Sequence, residues 1–228
     1  MQKIMWFLYP PMGETEIDWD EWTAIATRWR PPAGVTRWLR SRGRGRDNSF
    51  LDPTAKGEGR DVALEEFWVE AASVDALRAA LADRKGGLAA YLSGLCDLDA
   101  SHMVTTGEIE VITGPRIVGQ GRTGMALLVP QTGVSLAQCV EHWTTRHAAI
   151  VIRQADMTHY NQCPVVDHDA IYAGVPVIHF GSEALADAFN ANMAHLEEQA
   201  QDARQFVNLE ENIRFNFNCE IGQHEVQL

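Results

Sequence analysis

Cysteine is scarce in this chain and scattered. Four residues, Cys96, Cys139, Cys163 and Cys219, form no CxxC pair and no His/Cys ligand spacing. That excludes a thiol-redox motif and a zinc-binding knuckle, and it reads as a reduced, cytoplasmic chain with incidental core cysteines. Positive charge is short as well: 19 Lys and Arg against 31 Asp and Glu leave a net charge of −12, which argues against a nucleic-acid or anionic-membrane partner. No apolar run is long enough to span a bilayer. The stretch from Ile4 to Tyr9 is too short for a signal-peptide core, and Pro10 and Pro11 end it with no small-residue cleavage site beyond. It reads as a first β-strand. HExxH, GxSxG and acidic metal clusters are missing, which excludes the common metal and serine hydrolases. The Gly-rich stretch GQGRTG, near residue 119, precedes a strand instead of joining strand to helix, so it fails as a phosphate loop.

What is present is an ordinary globular balance, 46% hydrophobic and 22% charged, arranged as a repeat. IMWFLYP (4–10) has a counterpart in GMALLVP (124–130). A helical pattern follows each: DWDEWTAIATRWR from Asp18, and SLAQCVEHWTTRHAAIVIR from Ser135. Two strand-like runs come next, GVTRWLRSRGR and VALEEFWVEA in one half, MTHYNQCPVV and GVPVIHFG in the other. A second helix and a closing strand complete each half: SHMVTTGEIEVITG in the first and NIRFNFNCEIG in the second. Asp18, Ser73, Ser135 and Ser182 stand where helix N-caps belong. Gly86-Gly87 breaks the second helix of the first half.

Each half is therefore βαββαβ, the split-βαβ ferredoxin-like pattern. Such a unit leaves one sheet face bare, and two units in one chain can bury those faces against each other. The expected fold class is α+β, two ferredoxin-like modules packed sheet to sheet. The expected modules are residues 1–116 and 117–228, joined near TGPRIVGQGRTG.

Within the helix that begins at Leu136, the residues Leu136, Val140, Trp143, His147 and Ile150 recur at helical spacing. An imidazole in that apolar stripe is either a satisfied core histidine or a group facing a pocket. Burial disfavours its charged form, so its pKa should fall and leave a neutral base at pH 7. None of the strand runs expected beside it carries a carboxylate; the nearest are Asp167 and Asp169 in a loop. On the next strand, alternation places Tyr160 and Gln162 on one face, and His159 and Cys163 on the other. Tyr160 is either a hydrogen-bond donor to a substrate oxygen or a packed strand tyrosine. His179 shares a face with Val175 and Val177, as a second acid/base group or as filling for the interior. In TRWLRSRGRGR, Trp38, Arg40 and Arg42 share a face, with Arg44 and Arg46 continuing. They read as a solvated strand end or as a clamp for a substrate carboxylate. His142, His168, His195 and His224 read as exposed, and His102 carries no signal.

The ordered set W-x-x-x-H-A-x-x-V (Trp143, His147, Ala148, Val151), then HYNQC, YAGVPVIHFGS and DARQFVNLEENIRFNFNCEIG, resembles the EthD-like branch of the dimeric α+β barrel proteins. The resemblance covers nearly all of residues 124–225. The first half follows the plan loosely, and aligning the two helices puts Trp29 opposite His147. The chain thus resembles a fused dimer with one degenerate half. The resemblance implies a pocket between sheet and helices, no metal or organic cofactor, and a small-molecule substrate of aromatic or polyketide-like type. It implies His147 as a proton-transfer base with Tyr160 lining the pocket beside it; His179 stands where the family often has a large aromatic residue and is a catalytic candidate by its residue type alone. Trp143 and Gln162 would line the second pocket, and Trp29, Trp38 and Arg40 the first. The implied chemistry is a lyase, isomerase or cyclase reaction. A cofactor-free oxygenase and a non-catalytic binding protein stand as alternatives, and the fused barrel is free to pair again as a homodimer.

Overall fold

A computed structural model describes residues 1–45, 60–116, 118–154, 156–167 and 170–228. The first half contributes β1 (Gln2–Tyr9), α1 (Trp19–Arg28), β2 (Val35–Gly45), β3 (Asp61–Val69), α2 (Val74–Ala82), α3 (Leu88–Leu92) and β4 (Asp97–Thr106). A short strand, β5 (Ile109–Ile112), leads into the second half: β6 (Arg122–Leu127), α4 (Leu136–His142), a π-helical turn (Trp143–His147), α5 (Ala148–Val151), β7 (His159–Pro164), β8 (Gly174–Phe180), α6 (Glu183–Ala191), α7 (Met193–Ala203) and β9 (Ile213–Asn218). The single-turn helix α8 (Cys219–Gly222) and β10 (Gln223–Val226) end the chain.

The strands run in the order β4-β1-β3-β2-β9-β6-β8-β7, which is one ferredoxin-like order followed by the other. The two sheets join where Gly43 to Gly45 of β2 pair with Phe217 to Phe215 of β9. They meet again where Thr106, at the end of β4, bridges Val165 just beyond β7. Joining both edges turns two half-covered sheets into a barrel and removes the exposed edges. Its interior takes alternate residues from both halves, including Met5, Phe7, Val62, Leu64, Met125, Val175, Val177, Phe215 and Phe217. The opposite sheet faces carry the helices. The fold is α+β, with two ferredoxin-like modules face to face, as the repeat requires.

Local chemistry explains most element ends. Asp18 caps α1 by accepting from the backbone N–H of Asp20 and Glu21. Ser135 and Gln138 form a reciprocal capping box at α4. Ser182 caps α6 by accepting from Leu185 N–H. Ser73 caps nothing: it ends a short 3-10 turn before α2, and its side chain makes no cap bond. The long second-half helix breaks at Asn192, whose carbonyl-type Oδ1 accepts from His195 N–H to start α7. The strand expected over residues 101–114 divides in two, and β5 pairs with β7 in the sheet of the second half. β10 adds to β2 in antiparallel fashion, from Gln223 opposite Ser41 to Val226 opposite Trp38.

The barrel interior also buries charge. Lys3 Nζ lies 2.8 Å from Glu66 Oε1, and Arg116, from the inter-module stretch, places Nη2 2.7 Å from Glu66 Oε2. Together the two cations hold the Glu66 carboxyl down to about 2 against its burial.

Candidate active site

The two halves use the same sheet register with different side chains, and this decides where a pocket can exist. In the first half, Trp38 pairs with Phe67 and Phe67 with Ile4; one step along lie Arg40, Glu65 and Trp6. In the second half, Tyr160 pairs with Ile178 and Ile178 with Gly124; one step along lie Gln162 and Pro176. Ala126, two residues past Gly124, takes the step that Trp6 takes past Ile4. Large side chains therefore fill the space between sheet and helices in the first half, and small ones leave it open in the second. The opening is a cleft whose empty space, open mouth included, is about 730 Å³. Gly124, Ala126, Pro176, Ile178 and Arg214 of the sheet line it, with Trp143, His147, Val151, Gln199, Ala203 and Phe206 opposite.

Tyr160 sits at the base of this cleft, 1% exposed. Its hydroxyl oxygen accepts from the Trp143 indole N–H at 3.2 Å and from Gln162 Nε2 at 3.1 Å. Gln162 also donates to the Trp143 carbonyl at 2.9 Å, which fixes the amide's orientation. With both acceptor positions used, the Tyr160 proton has no acceptor among the described residues and is available to a guest. Burial pushes the phenol well above its ordinary pKa, so it stays a neutral donor.

His147 lines the cleft from a stretch where the helix is not regular. A π-helical turn spans Trp143–His147, and Ala148 N–H bonds back to the Trp143 carbonyl. Thr144 and Thr145 donate their hydroxyls to the Val140 and Glu141 carbonyls at 2.8 and 2.6 Å, occupying acceptors of the distorted turn. The inserted residue shifts the face that follows it, as such turns do at many sites. Gly174 makes room for Trp143: a Cβ on Gly174 would lie 2.3 Å from indole Cζ3. The sequence gives no separate sign of this glycine or of the turn.

Burial lowers the His147 pKa from its ordinary value, in the direction expected. A carboxylate opposes the shift, where Asp167 and Asp169 were the nearest ones expected. It is Asp202 on α7, whose Oδ2 lies 2.9 Å from His147 Nδ1. Asp167 instead binds Arg78 and the Thr105 N–H, and Asp169 lies outside the described residues.

The other expected residues fall elsewhere. His179 lies inside the barrel, fully buried, with Nδ1 2.9 Å from Thr123 Oγ1 and its pKa lowered to about 4, chiefly by burial with Arg116 nearby. It does not share the cleft with His147. Arg40 is no solvated strand end: it is fully buried, forked onto Glu65 at 2.8–3.1 Å, donating to the Trp22 carbonyl and stacked on Trp22. The carboxylate it holds belongs to the protein. Trp38 donates its indole N–H to the same Glu65 at 2.7 Å, and Trp29 packs edge-on against Trp38 in the first-half core. The contact from Arg40 to the Trp22 carbonyl repeats that of Gln162 with Trp143. By this contact Trp22 is the counterpart of Trp143, which sets Ala26, not Trp29, opposite His147. His142, His195 and His224 are half-buried instead of exposed, while His168, Arg46 and the Arg44 side chain lie outside the described residues.

Among the described residues, no group of three or more His, Cys, Asp or Glu is arranged to hold a metal ion, and no helix is long and apolar enough to cross a membrane.

No family model and no curated protein matches the chain. Solved structures do. An anthrone oxidase-like protein aligns with a TM-score of 0.64 at 9% identity, covering 100% of this chain and 94% of its own. A monooxygenase-like protein from Fusobacterium nucleatum subsp. nucleatum aligns at 0.58 with 5% identity, covering 100% and 96%. A chlorite dismutase-like protein aligns at 0.53 with 9% identity, covering 96% of each. At such identities the likeness is one of fold, the dimeric α+β barrel, over essentially the whole chain.

Proposed function

We propose that the second-half cleft is the active site of a cofactor-independent enzyme that moves a proton on a small aromatic or polyketide-like molecule. The observation that carries this is the Tyr160 hydroxyl, doubly hydrogen-bonded as an acceptor and with its own proton unclaimed among the described residues, at the base of a cleft that His147 also lines. His147 takes a proton from a carbon whose anion is conjugated with a carbonyl, directly or through an aromatic ring, and Tyr160 donates to the oxygen where the charge collects. The resulting enolate is common to three outcomes. Return of the proton to another carbon is isomerisation, loss of a β-substituent is elimination, and attack on a second carbonyl closes a ring. The EthD-like motifs around His147 and HYNQC support this class, with the N-terminal half as the degenerate partner of the fused pair.

A second reading is cofactor-free oxygenation, favoured by the likeness to an anthrone oxidase-like protein. It shares the first step, since an enolate formed by His147 reacts with dioxygen. Anthrone itself serves as the test probe. In D2O under argon, the proton-transfer reading expects wild-type protein to accelerate deuterium incorporation at the methylene carbon, and His147→Ala to lose at least ~10²-fold of that rate while folding normally. Under dioxygen, conversion of anthrone and O2 to anthraquinone and water above the buffer rate would assign the oxygenase instead. Saturable quenching of tryptophan fluorescence by anthrone, with neither reaction, would identify a binding protein. Full exchange activity in His147→Ala would overturn the assignment of the base.

A further inference from the structure

His147 does not meet the cleft alone. While Oδ2 of Asp202 lies 2.9 Å from its Nδ1, the other oxygen, Oδ1, lies 3.0 Å from Nε2 of His142. The three side chains are between 13% and 16% exposed. Both rings also rest on Phe206, His142 stacked at 4.6 Å and His147 edge-on at 5.2 Å. A carboxylate held at both oxygens cannot turn toward one ring without leaving the other. The residues come from three elements, α4, the π-helical turn and α7, and one carboxylate on α7 ties the two rings together.

The geometry points to a role for Asp202 that rests on the reading of His147 as the base. We infer that Asp202 is a positioning residue that keeps the neutral His147 proton on Nδ1, leaving the nitrogen across the ring, Nε2, as the bare acceptor toward the cleft. An ionised carboxylate only accepts, so the nitrogen facing it must carry hydrogen. Unrestrained neutral imidazole prefers its proton on Nε2, the form that could not act as a base through that atom. The partner of one ring nitrogen thereby sets the chemistry of the other. When Nε2 takes a proton from substrate, the imidazolium that forms already has a negative partner. No proton needs to pass to Asp202, as in other His–carboxylate pairs.

Long-range 1H–15N correlation spectra of the full 15N-labelled chain, recorded above the imidazole titration, read the tautomer without any substrate. Wild-type His147 should show the Nδ1–H form. Asp202→Leu, similar in size and unable to accept, should return His147 to the Nε2–H form and slow anthrone deuteration by ~10–10²-fold, as loss of such an outer partner does elsewhere. Should Asp202→Leu not fold, the wild-type tautomer alone decides. An Nε2–H tautomer in wild type, or an Nδ1–H tautomer that survives Asp202→Leu, overturns the inference. The two readings fail separately. The expected tautomers together with an active His147→Ala would sink the base and leave the positioning intact; the wrong tautomer with an inactive His147→Ala would do the reverse.

Discussion

His147 is the residue where sequence and structure meet most closely. Its place in an apolar stripe marks it as a group that either satisfies the core or faces a pocket, and it does face one. The direction of its pKa also follows from burial alone. Its carboxylate partner was not legible, because Asp202 lies on a helix far along the chain and nothing in that helix's pattern tells which face meets which ring. Tyr160 and Gln162 were legible by strand alternation, and so was the inward direction of His179. Their hydrogen-bond directions needed the Trp143 carbonyl in place. At this scale the expectation concerns pH. Burial lowers the His147 pKa, Asp202 raises it and His142 lowers it, with burial the largest. Tyr160 stays neutral on the facing strand. A base must be unprotonated, so kcat/KM for anthrone deuteration should rise with pH through a pKa below the ordinary 6.5 and stay flat from neutrality upward. A rate that falls as the ring deprotonates would make His147 an acid.

Among the elements, most helices follow from periodicity and the caps at Asp18, Ser135 and Ser182 from their residue types, whereas the missing cap at Ser73, the break at Asn192 and the π-helical turn do not. Spacings of three and four along Leu136–Ile150 fit a regular helix equally well, and one extra residue inside a turn leaves no mark in composition. The short strands β5 and β10 carry too few residues to show alternation. Gly174 illustrates what such elements conceal: it opens β8 as an ordinary strand glycine, yet its missing Cβ is the space that Trp143 occupies. Gly174→Ala should force the indole aside and break its bond to Tyr160, destabilising the protein by about 1–3 kcal/mol through overpacking. Urea denaturation measures the cost, and Trp143 indole 15N shifts report the lost bond. A variant as stable as wild type, with that resonance unmoved, would mean Trp143 is not held as described.

For the whole molecule, the repeat predicts the barrel, since two sheets with bare faces in one chain have a single economical arrangement. The repeat says less about which half is open. That depends on Gly124, Ala126 and Pro176 standing where Ile4, Trp6 and Glu65 stand, a comparison that requires the sheet register. The closed interior has its own pH signature. Glu66 is held down to about 2 and His179 down to about 4. In both cases the unfolded chain binds more protons than the native one in the window between the two pKa values, so stability rises with pH there. Going down in pH, the His179 contribution is lost from about 6.5 to 4, and that of Glu66 from about 4.5 to 2. Urea midpoints should therefore fall below neutrality, with a shallower slope between pH 6.5 and 4 in His179→Asn. Stability unchanged from pH 7 to 4 would show that the interior is hydrated rather than closed.

The central claim is that the second-half cleft holds a carbonyl compound between Tyr160 and His147. A crystal structure of the protein soaked with anthrone without oxygen tests it most directly. The account places the ligand between β6, β8 and the Trp143–His147 turn, with its carbonyl oxygen about 2.6–3.2 Å from the Tyr160 hydroxyl and its methylene carbon facing His147 Nε2. A ligand found inside the barrel beside His179, or in the cleft with its oxygen turned away from Tyr160, would contradict it.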